Sequence, residues 1–169
     1  MPAGQGTGFC WIGIWEMNPH LLHTSLHLPL PRPAVFAFFA DAANLEAITP
    51  PELHFHITTP LPITMRKDAI IDYRLRLRGI PFSWRTRIAE WEPPLRFVDE
   101  QLRGPYALWE HTHTFTNAPD GGTLVQDTVR YQLPLGPLGR LALPLVRRDL
   151  SRIFVYREVR VRQLLTSAE

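Results

Sequence analysis

Apolar and polar positions alternate with a period of two through most of the chain between Leu21 and Leu133. Because successive side chains of a strand point to opposite faces, this period predicts an antiparallel sheet with one buried and one solvated face. Turn-forming Gly, Pro and Asn residues divide the region. The predicted strands are residues 21–28, 53–58, 69–77, 82–88, 95–102, 106–115 and 123–133.

The remaining segments carry a helical period. Residues 34–40 and 44–48 predict two short helices between the first and second strands. From about Pro137, apolar residues recur at three- and four-residue steps with arginines on the opposite side, which predicts a long amphipathic C-terminal helix. Pro144 should either kink this helix or begin its main segment. The element order predicts an α+β fold.

The length of 169 residues and the hydrophobic share of 45% fit one globular domain with a real core, placed at residues 21–169. Residues 1–20 differ, because glycines alternate with apolar residues and no charge precedes Glu16. We interpret them as an irregular N-terminal extension, in which Met17 is an alternative start. The other interpretation is an apolar arm that packs on the domain or on a neighbour.

Charge and cysteine content exclude several classes. A net charge of +2 gives no case for a nucleic-acid partner. Cys10 is the single cysteine, so an intrachain disulfide and a cysteine-based metal site are excluded. No secretory signal, membrane-spanning run, phosphate loop or hydrolase motif is evident. We expect a cytoplasmic protein without a cofactor, either a monomer or a homodimer.

The sixth predicted strand carries the densest candidate chemistry. Trp109, His111, His113 and Phe115 share one of its faces, a composition typical of a cavity wall with a few polar groups. Asp127 lies on the apolar face of the next strand, and pairing across the intervening turn places it beside His111 or His113. Strand rise alone sets the two histidine rings about 7 Å apart.

This group has three interpretations. The favoured one is a satisfied polar cluster in a cavity wall, since a buried carboxylate must be paired or protonated. The others are a group that orients a ligand, and an acid/base histidine oriented by Asp127. A metal site of two histidines and Asp127 is disfavoured, because helical His-x-x-x-His spacing is absent, and no metal is expected.

Further inward-facing residues extend the site. Tyr73 and Trp84 either stack on a flat ligand or belong to the ordinary core. Asp99 and Gln101 share the parity of Phe97, so they either point inward or hydrogen-bond to neighbouring loops. The predicted ligand-binding set is Tyr73, Trp84, Phe97, Gln101, Trp109, His111, His113 and Asp127.

Arginines line the solvent face of the predicted central hairpin. We interpret this face as solvated, because acidic partners lie nearby in the sequence. Weak contact with an anionic membrane or RNA is the alternative. Arg157, beside Phe154 and Tyr156, is expected to form a buried ion pair. The hairpin arginines are Arg74, Arg76, Arg78, Arg85 and Arg87.

From about Leu21 to Leu165 the chain resembles the START-like (SRPBCC) superfamily, and within it a bacterial polyketide cyclase/dehydrase-like subgroup. The resemblance implies a helix-grip fold, in which a curved seven-stranded antiparallel sheet wraps a long C-terminal helix and leaves a cavity. The segments that carry it are Phe97-Val98-Asp99-Glu100-Gln101, Gly104-Pro105-Tyr106 with Trp109-x-His111-x-His113-x-Phe115, Gly136-x-x-Gly139, and Ile153-Phe154-x-Tyr156-Arg157.

The superfamily includes lipid-transfer proteins, hormone receptors, aromatase/cyclases and quinone-binding factors, so the resemblance implies an apolar cavity but no given chemistry. The first expectation is binding of a hydrophobic small molecule, such as a lipid, isoprenoid, quinone or polyketide, between the sheet and the C-terminal helix. The second is a cyclase- or dehydratase-like enzyme with a His–Asp acid/base pair. The third is an interaction module that uses the arginine face.

Overall fold

The fold is seen in a computed structural model, which describes residues 18–166. The strands are β1 (His20–Leu28), β2 (His56–Ile57), β3 (Ile70–Leu77), β4 (Ile80–Glu92), β5 (Arg96–Arg103), β6 (Leu108–Asn117) and β7 (Thr123–Gln132). The helices are α1 (Arg32–Phe39), α2 (Asn44–Ala47) and α3 (Leu143–Thr166), with 3-10 turns at Pro51–Leu53 and Gly136–Ala142. The predicted α+β class and element order are confirmed. The predicted N-terminal extension lies outside the described residues up to position 17, and its last residue, His20, begins β1.

All seven strands form one antiparallel sheet in the order β1-β7-β6-β5-β4-β3-β2. The first strand therefore lies beside the last one, and the two edges are β1 and the short β2. In the β4–β5 pair the register shifts between Ile88 and Glu90. A bulge of this kind bends the strand and increases its twist, which helps the sheet to curve around a helix.

The second predicted strand is mostly wrong. Leu53 belongs to the 3-10 turn, His54 adopts a left-handed conformation with φ of 44°, and only His56 and Ile57 pair with β3. Pro51 fixes φ at a helical value at the start of this turn. Leu53 and Ile57 are apolar because both are buried, and together they resemble the alternation of a strand. Leu53, however, is buried by the 3-10 turn and not by a strand.

Helix α3 covers the inner face of the sheet. Its buried residues Leu150, Phe154 and Val161 lie on one side of the helix. Leu150 and Phe154 pack with Val129 and Tyr131 of β7. The α-helix proper begins at Leu143, so the prediction that Pro144 starts the main segment is confirmed. Within residues 18–166 no helix combines the length and the apolar character needed to span a membrane.

The arginine face of the β3–β4 hairpin is partly neutralised. Arg85 binds Asp72 through two hydrogen bonds of 2.7 and 2.9 Å, and Arg87 pairs with Glu100. Arg78 reaches Asp149 of α3 in a similar two-bond arrangement, at 2.8 and 3.0 Å. Arg74 and Arg76 stay exposed. These ion pairs support the interpretation of a solvated face.

Candidate functional site

A cavity of about 170 Å³ lies between the inner face of the sheet and α3. Strands β3 to β6 provide one wall, and Leu150, Phe154 and Arg157 of α3 provide the opposite one. Phe39 at the end of α1 and Leu45 of α2 close another side. The alternation along the strands and the helical period of α3 direct these side chains toward the interior. The space left between the sheet and α3 forms the cavity.

One side of the cavity is an aromatic wall. Tyr73 stacks on Trp84 with ring centroids 5.8 Å apart, and Trp109 meets the edge of Trp84 at 5.4 Å. Tyr106 packs on Trp109 at 4.8 Å. The Tyr73 hydroxyl is satisfied by the Thr86 hydroxyl at 3.1 Å. The structure thus brings three predicted ligand-binding residues, Tyr73, Trp84 and Trp109, into one wall; their contact with a ligand stays a prediction.

Strand register assembles a second, ionisable group. Asp99 of β5 lies opposite His111 of β6, and His113 lies between Phe97 of β5 and Asp127 of β7. All five side chains belong to the inner face. We call Asp99, His111, His113 and Asp127 the His–Asp cluster. The predicted proximity of Asp127 to the histidines is confirmed, and it extends to both of them.

Each carboxylate of the cluster lies against both imidazoles. Asp127 Oδ1 is 2.9 Å from His111 Nε2 and 2.8 Å from His113 Nδ1. The first contact is a hydrogen bond, whereas the alignment at His113 Nδ1 is too poor for one. Asp99 Oδ2 accepts a hydrogen bond of 3.1 Å from His113 Nε2 and lies 3.6 Å from His111 Nδ1. The four groups form a closed ring of contacts.

The two histidine rings are much closer than predicted. Their centroids lie 3.8 Å apart, with the ring planes inclined by 37°. The estimate of about 7 Å from strand rise was wrong because it assumed side chains perpendicular to the strand. Both rings lean toward the shared carboxylates. His113 also stacks on Phe97, at 4.1 Å between centroids, which fixes its orientation.

Burial and charge act in opposite directions on the cluster. Burial alone would raise the pKa of Asp127, but the two imidazoles hold that pKa well below its ordinary value. The pKa of Asp99 is also lowered, because the hydrogen bond from His113 and the nearby cationic groups outweigh its burial. Both carboxylates are therefore ionised.

The two histidines differ in their electrostatics. The pKa of His111 is lowered, chiefly by burial and then by the charge of His113. Burial would also lower the pKa of His113, but contact with Asp127 and Asp99 raises it above the ordinary value. A proton taken up by the two imidazoles is therefore favoured on His113 over His111.

Only part of the cluster faces the cavity. Asp99, His111 and His113 line it, together with Phe97. Asp127 lies behind the imidazoles and lines a separate small pocket near α3. The structure therefore places Asp127, predicted to bind ligand, where it orients the histidines from behind.

Gln101 is engaged elsewhere. Its Nε2 donates to the Tyr106 carbonyl at 2.7 Å, and its Oε1 accepts from the Tyr106 N–H at 3.3 Å. It is not among the residues that line the cavity. These bonds hold the loop before β6, which corresponds to the loop-bonding alternative. A Cβ at Gly104 would overlap the Gln101 side chain, so Gln101 keeps this pair of bonds only with glycine at position 104.

Two polar donors in the cavity wall lack a partner. Among the described residues, neither Trp84 Nε1 nor Arg157 Nε finds a hydrogen-bond acceptor, although both atoms are buried. The predicted buried ion pair of Arg157 is wrong: no carboxylate of residues 18–166 lies within ion-pair distance, and the guanidinium rests over the Phe39 ring at 5.6 Å.

The sequence underestimated Asp99 and Arg157. The parity of Asp99 with Phe97 predicts a side chain that either points inward or hydrogen-bonds to a neighbouring loop. Its contact with both histidines depends on the β5–β6 register, which a single sequence does not show. Arg157 follows the buried Phe154 by three residues, a helical spacing that brings it to the same side of α3.

No family model and no curated protein matches the sequence, whereas many solved structures match the fold. The chain is similar to the ZhuI aromatase/cyclase from Streptomyces sp. R1128, with a TM-score of 0.70 and 13% identity over 87% of this chain and 93% of that one. It is similar to a START superfamily protein from Mycobacterium smegmatis, with a TM-score of 0.63 and 14% identity over 86% and 99%.

A third similar structure is the TTHA0849 protein from Thermus thermophilus, with a TM-score of 0.60 and 22% identity. That alignment covers 89% of this chain and all of the other, 100%. At such identities the likeness establishes the fold and leaves the chemistry open. The seven-stranded antiparallel sheet closed by a long C-terminal helix, shared over nearly the whole length of these proteins, is the START-like helix-grip fold.

Proposed function

We propose that this protein binds a hydrophobic small molecule in the cavity between the sheet and α3. The observation that carries the proposal is the cavity of about 170 Å³ inside an otherwise close-packed domain. An apolar cavity of about 150 Å³ is large enough to bind a single aromatic ring. Similarity in fold to a START superfamily protein and to an aromatase/cyclase supports the same proposal.

The walls indicate the chemistry of the ligand. Tyr73, Trp84 and Trp109 offer flat aromatic surfaces, which favour a ring or a conjugated chain. The unpartnered donors of Trp84 and Arg157 favour a ligand with hydrogen-bond acceptor oxygens, because buried polar groups are normally paired. A quinone, an aromatic polyketide or an oxygenated isoprenoid combines both properties.

Native mass spectrometry with organic extraction, on protein purified from its own host, tests the proposal directly. A co-purifying hydrophobic compound that is released by organic solvent is the expected result. Displacement of the fluorescent probe 1-anilinonaphthalene-8-sulfonate then ranks candidate ligands. A protein that carries no compound and binds neither probe nor ligand would contradict the proposal.

A matched pair of variants localises binding to the cavity. Ala42 is buried and lines the cavity, whereas Ala37 is exposed on α1. Ala42→Phe fills the cavity and should lower probe affinity by about tenfold, equivalent to about 1.4 kcal/mol. Ala37→Phe adds the same side chain at the surface and should leave affinity unchanged. Equal effects of both variants would place the probe elsewhere.

A second candidate function is that of a cyclase- or dehydratase-like enzyme. It is favoured by one observation: His111 lines the cavity while its Nε2 is held by Asp127 at 2.9 Å. An imidazole oriented by a carboxylate is the usual arrangement of an acid/base histidine. With a ligand identified by extraction, His111→Gln should abolish its turnover and retain binding. His23→Gln, on the exposed side of β1, is the control, and unchanged turnover in His111→Gln would rule out this function.

A further inference from the structure

We propose that Asp99, His111 and His113 bind one divalent transition-metal ion on the wall of the cavity. All three side chains line the cavity, and their nitrogen and oxygen donor atoms lie within 4.8 Å of one another. Two imidazole nitrogens with one carboxylate oxygen favour Zn²⁺ or Fe²⁺, whereas Mg²⁺ and Ca²⁺ prefer oxygen ligands. Three protein ligands leave a coordination position open to the cavity.

The spacing of the donor atoms fits a shared ion. Asp99 Oδ2 is 3.1 Å from His113 Nε2 and 3.6 Å from His111 Nδ1. With bonds of about 2.0–2.1 Å, adjacent ligands of a tetrahedral or octahedral ion lie about 2.8–3.4 Å apart. The two distances from Asp99 Oδ2 therefore fit one ion after small side-chain adjustments.

Asp127 occupies the position of an orienting carboxylate. Its Oδ1 contacts the ring nitrogens that point away from Asp99, namely His111 Nε2 at 2.9 Å and His113 Nδ1 at 2.8 Å. Histidines that bind metals usually donate their other N–H to a carboxylate or carbonyl, which fixes tautomer and ring orientation. Here one carboxylate serves both histidines from behind the wall.

A bound ion would take the place of one proton of the cluster. His113 Nε2 donates a hydrogen bond to Asp99 Oδ2 at 3.1 Å, so this proton is released when both atoms bind a metal. The nitrogens of His111 and His113 on the side of Asp127 then keep their hydrogens, and the nitrogens on the side of Asp99 direct their lone pairs to the ion.

The metal site considered from the sequence consisted of the two histidines with Asp127, and no metal was expected there. The structure assigns the third position to Asp99 instead, since β5 pairs with β6 on the side opposite β7. Arg157 also lies in the cavity wall. With the ion it makes this region positive, so an anionic oxygen is the expected occupant of the open position.

The test uses the full-length chain, stripped with a chelator and titrated with Zn²⁺ alone by isothermal calorimetry. One saturable site per chain is expected. Co²⁺ in place of Zn²⁺ should give visible absorption bands from nitrogen and oxygen ligation. Co²⁺ should also quench Trp109, whose ring lies 6.5 Å from that of His111. Binding is measured without any organic ligand, so it does not depend on the proposed function.

Variants distinguish the proposed metal ligands from the orienting residue Asp127 and from metal-binding residues elsewhere in the chain. Asp99→Asn and His111→Gln should abolish the calorimetric site. Asp127→Asn keeps all three ligands and should weaken affinity by about 10–100-fold. Residues elsewhere that have an affinity for metals provide controls that should bind normally: Cys10→Ser, His27→Gln and His56→Gln.

Two outcomes would overturn the proposal. One is the absence of saturable Zn²⁺ and Co²⁺ binding by folded wild-type protein. The other is binding that survives Asp99→Asn and His111→Gln but is lost in a surface control. Circular dichroism checks the folding of each variant. If Asp99→Asn does not fold, Co²⁺ quenching in a combined Cys10→Ser, His27→Gln and His56→Gln protein decides. Among residues 18–166, the donor set of Asp99, His111 and His113 lies beside Trp109.

Discussion

At the scale of single residues, the His–Asp cluster concentrates more buried charge than a core of this size needs for stability. His111 and His113 are 4% and 2% exposed, and Asp127 is 8% exposed. Replacing such a group by apolar residues is often neutral or stabilising, whereas removing one member leaves an uncompensated charge. The cluster is therefore better explained by a function in the cavity than by stability.

Asp127→Ala should destabilise the protein by about 3–5 kcal/mol, because it leaves His113 without its main buried counter-charge. Urea unfolding measures the effect. Glu52→Ala, which breaks the exposed ion pair with Arg152 at 2.7 Å, is the control and should cost at most about 1 kcal/mol. Similar losses of stability in both variants would show that the buried cluster contributes no more to stability than an exposed ion pair does.

Gly104→Ala should destabilise the protein by about 1 kcal/mol, since the new Cβ displaces the Gln101 side chain from its two bonds with Tyr106. In a Gln101→Ala background the same change should be neutral or slightly stabilising, because glycine loses more entropy on folding than alanine. A double-mutant cycle measured by thermal unfolding tests this coupling, and additive effects would contradict it.

At the scale of elements, α3 stabilises the domain through one face only. Val161 is completely buried, whereas Val155 on the other side is 62% exposed. Val161 belongs to the cluster around Phe36 and Phe115, so the C-terminal half of the helix closes the core beyond the cavity. The N-terminal half carries Leu150 and Phe154 in the cavity wall.

Val161→Ala should cost about 2 kcal/mol, from the lost methyl groups and the cavity that they leave. Val155→Ala removes the same groups from an exposed position and should be neutral or slightly stabilising, because alanine is the better helix former. Denaturant unfolding of both variants provides the comparison. Equal effects would mean that α3 does not dock as described.

Prediction from sequence succeeded for the long strands and for α3 because the periodic pattern of each one extends over many residues. Six of the seven predicted strands span at least seven residues, so local exceptions did not hide their alternation, and the turn between β6 and β7 fixed the register of those two strands within two residues. The short β2 failed because two residues cannot show a period. At the site, Asp127 was found through a turn of known length, whereas the contacts of Asp99 depend on β5–β6 register and side-chain rotation.

At the scale of the whole molecule, the net charge is small, but the charges are distributed unevenly over the surface. Arg78, Arg85 and Arg87 are paired with carboxylates, while Arg74 and Arg76 remain exposed beside each other on one side of β3. Within residues 18–166 neither of these two guanidinium groups has an ion-pair partner. They provide a weak electrostatic attraction to an anionic surface, which salt screens within about 10 Å at 0.1 M.

Flotation with phosphatidylserine-containing vesicles should therefore show weak binding at low ionic strength and almost none at 0.15 M salt, about the physiological level. Arg74→Glu with Arg76→Glu should abolish the weak component. The matched control, Arg147→Glu with Arg148→Glu, places the same charges on α3. Tight binding that persists in high salt would favour an interaction module over a solvated face.

The sheet order has a consequence for how the chain reaches this structure. β1 pairs along its whole length with β7, so His20 lies opposite Tyr131, a residue far away from it along the chain. During synthesis the first strand leaves the ribosome long before β7, the strand with which it pairs among residues 18–166, has been made. The closing of so long a loop is slow, and such non-local pairing delays folding. A nascent chain arrested before β7 should thus remain sensitive to protease, and gain resistance only once the last strand and α3 have emerged.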